Sequence, residues 1–466
     1  MKKIHAGLFL GVMVFAIGVT HVAGQQTITA TATIASNSVP GSSAKQPDPP
    51  PPDPKSPSDE LNSHLPSWLR FSGEIRLRGA GIFGDFFKPD SDDSYMLSRL
   101  RLNMQIKATS WMNFYFQAQD SRVLGATRTG SLPPLQQDTM DLRLAYVDLG
   151  EENKTPIRLR LGRQDLAFGE ERLIGPANWL NTPRSFDAAS ATFSRKGFRL
   201  DAFAGSVVKI HDRQFNEYTN GSYISGLYSS FSKLIPQSTI EPYFFWRRQS
   251  GLITEVHTPG ISNFGTFGFR WVGKAPLHTD YDIEMAKQSG SLGSDTIAAW
   301  AGHWVLGYTF AATHSTPRLF AEYNYASGDH NGTDGTRGTF DQLFPSGHDL
   351  YGLTDQVGWK NIRHVRTGVE VKPRKNWIVS SKYSSYWLAD PHDALYNAAS
   401  IVVAKSPAGK AGDYVGQELD FLSSIKYKKG VILSGGFGHL FPGTFLKATT
   451  PGNSYSFPYA GISYAF

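Results

Sequence analysis

The chain has 466 residues, 13% of them aromatic, no cysteine, and a formal net charge of +6. Without cysteine it has neither disulfides nor thiol chemistry, and so mild a charge does not mark a nucleic-acid binder. No apolar run reaches the ~20 residues a spanning helix needs, which excludes a helical membrane protein but not a barrel, whose strands turn only alternate residues to lipid.

Lys2 and Lys3 precede an apolar run from Ala6 to Val19, and Ala23 and Gly24 follow it. A positive start, a short apolar core and a small-residue site describe a secretory signal peptide over residues 1–24. Its removal leaves a net charge of 6 − 2 = +4. The next stretch, "QQTITATATIASNSVPGSSAKQPDPPPPDPKSPSDE", is rich in Ser, Thr and Pro and nearly free of large apolar groups. It has too little to bury to offset its ordering entropy, so residues 25–66 are predicted to be a disordered periplasmic tail with a stiff polyproline section.

From Leu69 onward the sequence has period two. In "EIRLRG", Ile75 and Leu77 alternate with Glu74, Arg76 and Arg78. In "RLRLNMQIK", Leu100, Leu102, Met104 and Ile106 alternate with Arg99, Arg101, Asn103, Gln105 and Lys107. In "IRLRLG", Ile157, Leu159 and Leu161 alternate with Arg158 and Arg160. Strict alternation predicts strands with one apolar and one polar face. About 18 such segments follow, at 69–80, 96–108, 112–122, 140–149, 156–163, 187–194, 198–207, 220–231, 238–247, 263–273, 279–288, 296–310, 317–326, 362–372, 377–388, 413–427, 430–440 and 456–466. The connections alternate between short turns such as "ATSW", "RKG", "PRKN" and "KKG" and long loops such as 164–186, 327–361 and 389–412.

That asymmetry predicts an all-β fold over 67–466, a transmembrane antiparallel β-barrel in a Gram-negative type of outer membrane. An even strand count puts the N-terminus and C-terminus on one side, the periplasmic one with the short turns. A secreted β-sandwich or propeller would also alternate, but so many up-and-down strands make a sheet too large to close on a dry core. Trp246, Trp271, Trp300, Trp304, Trp377 and Trp387 near strand ends suit interfacial girdles. The chain stops on "GISYAF", with Phe466, Tyr464, Ile462 and Ala460 on one face. That ending resembles the C-terminal signal of outer-membrane proteins, so Tyr464 and Phe466 are expected to engage the barrel assembly machinery.

If the apolar sets face lipid, their alternates face the lumen. The first five strands then send inward Arg76, Arg78, Arg99, Arg101, Lys107, Arg143, Arg158 and Arg160 against only Glu74 and Asp141. Later strands are mixed, with Arg199, Arg247, Arg270, Arg366 and Lys426 against Asp201, Glu241, Asp282, Glu284, Glu322, Glu370, Glu418 and Asp420. A basic wall lowers the energy of anions in a pore, and guanidinium forks suit carboxylates. The bland alternative is that these arginines hold acidic loops folded into the barrel. No enzyme is expected: His303, His364 and His439 stand beside no recognisable nucleophile. The stretch Asp329–Gly335 spaces oxygens as a loose calcium loop does but lacks its closing acid, so it reads as a glycine-rich tip. No catalytic residue, metal ligand or cofactor is expected.

The blocks "LRLGRQDLAFGEERLIGPANWLNTPRSFDAA" (159–189), "AEYNYASGD" (321–329), "FDQLFPSGHDLYGLTDQVGWKNI" (340–362) and "GQELDFLSSIKYKKGVILSGGFGHLFPG" (416–443) resemble the alginate-export family of outer-membrane barrels. The resemblance covers nearly all of the chain after Leu69. It implies 18 strands and an arginine-rich lumen that, in the polysaccharide exporters, passes a polyanion. By position in or beside the first block it adds Arg158, Arg160, Arg163 and Arg172 as residues lining or bracing the pore. Two departures stand out: the Ser/Pro-rich tail lies outside the family pattern, and no short turn is long enough to form a plug. The expected function is a channel for acidic solutes or an acidic polysaccharide such as alginate. The alternatives are a general diffusion porin for small anionic nutrients and a structural or adhesive barrel with a plugged lumen.

Overall fold

The computed structural model describes residues 56–127, 136–151 and 154–466. The expected signal peptide and residues 25–55 of the expected tail lie outside the described residues. The described strands, in chain order, are β1 (Leu69–Ile82), β2 (Asp93–Lys107), β3 (Met112–Leu124), β4 (Asp138–Leu149), β5 (Ile157–Gln164), β6 (Phe186–Arg195), β7 (Phe198–Lys209), β8 (Glu217–Phe231), β9 (Ser238–Ile253), β10 (Pro259–Ala275), β11 (Thr279–Leu292), β12 (Asp295–Thr309), β13 (Arg318–Ala326), β14 (Thr336–Arg337), β15 (Ile362–Arg374), β16 (Trp377–Trp387), β17 (Ala394–Tyr396), β18 (Val402–Lys405), β19 (Tyr414–Lys428), β20 (Val431–Pro442) and β21 (Tyr455–Ala465).

Eighteen of these strands form a closed antiparallel barrel. Each pairs with the wall strand before and after it, and β21 returns to β1 with Ile75 opposite Tyr464 and Leu77 opposite Ile462. Phe466 extends the seam by exchanging two backbone hydrogen bonds with Gly73, at 2.8 and 2.9 Å. The ring of Phe466 lies over Gly73, where a Cβ would come within 2.4 Å of it. Closure leaves the wall no free sheet edge, the condition a strand-built object must meet in hydrocarbon.

All 18 segments expected from period two are present. The three strands without a sequence signal, β14, β17 and β18, lie within long loops. β14 pairs in parallel with β12, and β17 antiparallel with β18. The alternation also has the expected sense. Ile75 and Leu77 are 44% and 42% exposed, while Arg76 and Arg78 between and beyond them are 8% and 4% exposed. On β2, Leu100 and Leu102 stand exposed on the outer surface, and Arg99 and Arg101 are buried. An apolar outside and a polar inside invert a soluble protein, and place hydrocarbon around this one.

The apolar core sits inside the barrel, where inward residues of the wall such as Leu97, Phe203, Tyr243 and Phe245 meet loop residues such as Leu173, Ile174, Phe340, Phe344, Tyr351, Leu353 and Trp359, all of them buried. β5 and β13, at 8 and 9 residues the shortest wall strands, lead into the two loops that turn inward. Pro57–Ser63 is a short helix, which corrects the expectation of disorder up to residue 66. Ser56 and Asp59 form a capping box, Pro57 takes the first turn, where its missing N–H costs nothing, and Asp59 pairs with Lys429 at 2.9 Å. Asn62 exchanges two hydrogen bonds with the backbone of Phe71, which lays the helix against β1.

Leu100 lies midway along β2 on the lipid-facing side. Leu100→Arg should cost about 2–4 kcal/mol, the usual penalty for a cation near the bilayer midplane, measured by denaturant unfolding in lipid vesicles. A change below ~0.5 kcal/mol would place that face in water.

Candidate functional site

Two loops meet inside the barrel: residues 165–185, between β5 and β6, and residues 327–361, between β13 and β15. They join backbone to backbone. Phe344 donates to the carbonyl of Leu173 at 2.8 Å, Gly175 to that of Phe344 at 2.9 Å, and Ser346 to that of Glu171 at 2.9 Å. Arg184 secures the join by donating to the carbonyls of Gly175 and Phe344 at 2.7 and 2.8 Å. The Trp179 and His348 rings stack 3.7 Å apart at an interplanar angle of 3°.

The first loop is held by arginines from β1 and β2. Arg76 donates to the carbonyls of Asn178, Trp179 and Leu180 at 3.0, 3.2 and 2.9 Å. Arg78 donates to Trp179 O at 2.8 Å and lies over its ring, 3.7 Å from the centroid. Arg99 donates to Asn178 O and Leu180 O at 3.1 Å each, and pairs with Glu74 at 2.5 Å. Arg101 bonds Asn178 Oδ1 at 3.2 Å and Gln119 at 2.8 Å, with Glu74 3.8 Å away. Four guanidiniums thus face one carboxylate. Their remaining partners are carbonyl dipoles and amide side chains, which satisfy donors without cancelling charge. At these four arginines the loop is pinned through its carbonyls and Asn178 rather than through acidic residues of its own.

The other expected arginines occupy different settings. Arg143 pairs with Asp165, at the root of the first loop, at 2.5 Å and with Gln117 at 2.7 Å. Arg160 grips Asp148 through two bonds of 2.7 and 2.9 Å and stacks over Tyr146; Arg163 grips Asp187 at 2.8 and 3.0 Å. Arg158 is half-buried on β5, away from the cavity. Arg172 departs from the basic wall altogether: carried by the loop to the far side, it meets Glu170 at 3.2 Å, Tyr351 Oη at 3.3 Å and His303 Nε2 at 2.9 Å. His303 passes the contact on, donating from Nδ1 to Asn324, which donates to Glu322. Arg270 joins this network through Asp282, Glu241 and Glu170 at 2.5, 2.9 and 3.4 Å. Burial would raise the Glu170 carboxyl, but Arg172 and Arg270 outweigh it and hold it below the usual range. Burial and then the neighbouring Arg247 pull the Arg184 guanidinium down to about 10.

The second loop crosses to the remaining wall. Lys382 pairs with Asp349, and Arg366 donates twice to the Asp349 carbonyl at 3.1 Å. Thr354 donates to both oxygens of Glu418, at 2.8 and 2.7 Å. The loops reach opposite sides of the barrel and divide its interior, yet leave a cavity of about 1560 Å³. Its lining runs from Ile378, Ser424 and Ile432 near the short turns to Asp85, Phe86 and Val402 at the long-loop end, passing Arg76, Arg78, Arg99 and Arg101. The volume exceeds the ~300–1,000 Å³ of ordinary ligand pockets.

Sequence reasoning missed Trp179, Arg184, Phe344, His348 and Asp349. The available signal was composition: "RLIGPANWL" is too apolar for a loop in water.

Over residues 67–459 the chain matches the family described as Alginate export. Among solved structures it is similar to OpdQ of Pseudomonas aeruginosa, with 10% identity and a TM-score of 0.59, covering 85% of this chain and 97% of that one. It is similar to OccK5 (OpdH) of the same organism at 11% identity and TM-score 0.57, over 85% and 98% of the two chains. A third, Pseudomonas aeruginosa OpdO, shares 13% identity at TM-score 0.56, over 87% and 99%. At such identities the likeness is one of fold. No curated protein matches the chain.

Asn181, fully buried, donates to the carbonyls of Ser98, Arg122 and Gln136 at 3.0, 3.2 and 2.9 Å. Asn181→Ala should therefore loosen the first loop without opening the wall. Hydrogen exchange over 170–185 is expected to accelerate at least ~10-fold, the equivalent of about one lost hydrogen bond; unchanged exchange would mean that the arginines and the join to the second loop hold it without Asn181. Closed wall, lipid-facing exterior and a family match across the whole barrel agree: the chain belongs to the alginate-export family of outer-membrane β-barrels.

Proposed function

We propose that the protein is an anion-favouring channel, passing acidic solutes or an acidic polysaccharide along the β1–β2 side of the lumen. The observation that carries this reading is the cluster of Arg76, Arg78, Arg99 and Arg101 beside the cavity, with Glu74 its one carboxylate partner among the described residues. These guanidiniums are buried behind the 178–180 backbone, so they act on a passing anion mostly through their field. In a lumen narrowed by two loops and walled by protein, that field is weakly screened. Carboxylate-bearing sugars and small organic acids present the same charge to it, and both fall within the proposal. β1 begins and β21 ends on the short-turn side, which we assign to the periplasm.

A plugged structural barrel is the competing reading, since the loops fill much of the interior. The continuous lining from short turns to long loops favours a passage.

In planar bilayers the wild-type protein should give discrete conductance steps whose reversal potential in a salt gradient shows anion preference. Arg99→Gln together with Arg101→Gln should lower the anion-to-cation permeability ratio at least ~2-fold, because two of four charges leave the cluster. Unchanged selectivity in that variant would assign the cluster to loop anchoring alone. Absence of steps in the wild type would favour the plugged barrel.

A further inference from the structure

The long-loop end carries a cluster that the channel reading does not use. His330, on the loop after β13, and His392, on the loop after β16, both lean on Asp390. His330 Nδ1 donates to Asp390 Oδ2 and His392 Nδ1 to Asp390 Oδ1, each at 2.9 Å. A carboxylate only accepts, so without an ion both neutral rings carry their proton on Nδ1; a cation at this point would take the place of those two protons, the rings adopting the other tautomer with each Nδ1 lone pair turned to the ion. The ring centroids are 4.6 Å apart. One ligand atom from each of the three residues lies within 4.8 Å of the other two.

The scaffold beneath this cluster is rigid. Asn361, fully buried, accepts from the Asp390 N–H at 2.8 Å and donates to the carbonyls of Asp390 and Ala394 at 3.0 Å each. The Asp390 carboxylate also accepts from the His392 N–H at 2.9 Å. The segment bearing His330 is tied to the same loop, because the Asp329 N–H donates to Asp393 at 3.0 Å. Two loops remote in sequence are thereby held in register, with two imidazoles and one carboxylate converging on one point near solvent.

We infer that His330, Asp390 and His392 form a binding site for a borderline divalent cation of the Zn²⁺ class. Two imidazoles and one carboxylate are a set that Zn²⁺ accepts, with a fourth position left for water. Ca²⁺ and Mg²⁺ prefer all-oxygen shells and are disfavoured here. Side-chain rotations of an ångström or so bring the ligand atoms to the ~3.3 Å spacing of a tetrahedral site with bonds of ~2.0 Å. The bound ion would staple the loop that descends into the barrel to its neighbour, at the mouth of the passage.

The test uses the purified full-length protein in detergent and Zn²⁺ alone, by titration calorimetry. One Zn²⁺ per chain is expected to bind, with affinity weakened at least ~10-fold in His330→Ala and in His392→Ala and with no competition from millimolar Ca²⁺. Absent binding in the wild type, or an affinity in either variant unchanged from the wild type, overturns the site. Copper loading gives an independent readout on the unaltered protein: the Cu²⁺ electron paramagnetic spectrum should show coupling to two imidazole nitrogens, and a spectrum with oxygen ligands alone overturns the assignment.

Discussion

A closed, hydrogen-bonded cylinder gives every strand residue two directions only, outward or inward, and everything else in this molecule follows from how the chain uses that choice. With each wall strand paired on both sides, the backbone asks nothing of the membrane. The outward set can then be apolar without a partner protein, and the inward set can be charged without bulk water. On β1 and β2 this places Ile75, Leu77, Leu100 and Leu102 on one surface and Glu74, Arg76, Arg78, Arg99 and Arg101 on the other. A soluble sheet with the same alternation would have to bury the leucines and wet the arginines.

The inward arginines meet a second constraint. Packed along adjacent strands they repel one another, and Arg76 stands directly opposite Arg99 in the β1–β2 register. The chain answers with the backbone of 178–180, whose carbonyls turn toward the guanidiniums. Carbonyl dipoles stabilise the cations without neutralising them, so one arrangement both fixes the loop and keeps a positive field beside the cavity. The opposite wall solves the same problem differently: Arg172 and Arg270 are embedded among Glu170, Asp282, Glu241 and Glu322, a network in which carboxylates outnumber guanidiniums. The lumen is polarised because dipoles solvate one side and carboxylates pair the other.

The wall was legible in the sequence because period two is a local property, and a one-residue slip would turn Leu100 inward and Arg99 into lipid. The interior was legible only in part. The arginine-rich side followed from the same alternation, but Arg172 lies in a loop, where no periodicity says which way a side chain points. Its passage to His303 and Tyr351 depends on where the loop goes, and that is set by contacts distant in sequence: Ile174 bridging to Phe344, Trp179 on His348, Arg184 on Phe344. The helix at Pro57–Ser63 was hidden for the opposite reason. Its capping box was present, but the Ser/Pro-rich surroundings masked it, and docking on β1 through Asn62 is a tertiary event.

The alternation itself is the claim on which the account stands, and a chain with no cysteine makes it directly measurable. Leu102→Cys and Asn103→Cys, neighbours on β2 that leave the arginines untouched, can be spin-labelled in turn in the reconstituted barrel. The account predicts that relaxation of the label at 102 responds to oxygen dissolved in the bilayer and not to a water-soluble nickel chelate, while the label at 103 is shielded from bilayer oxygen. A label at 102 relaxed by the aqueous reagent, with that at 103 relaxed by oxygen in lipid, would contradict it.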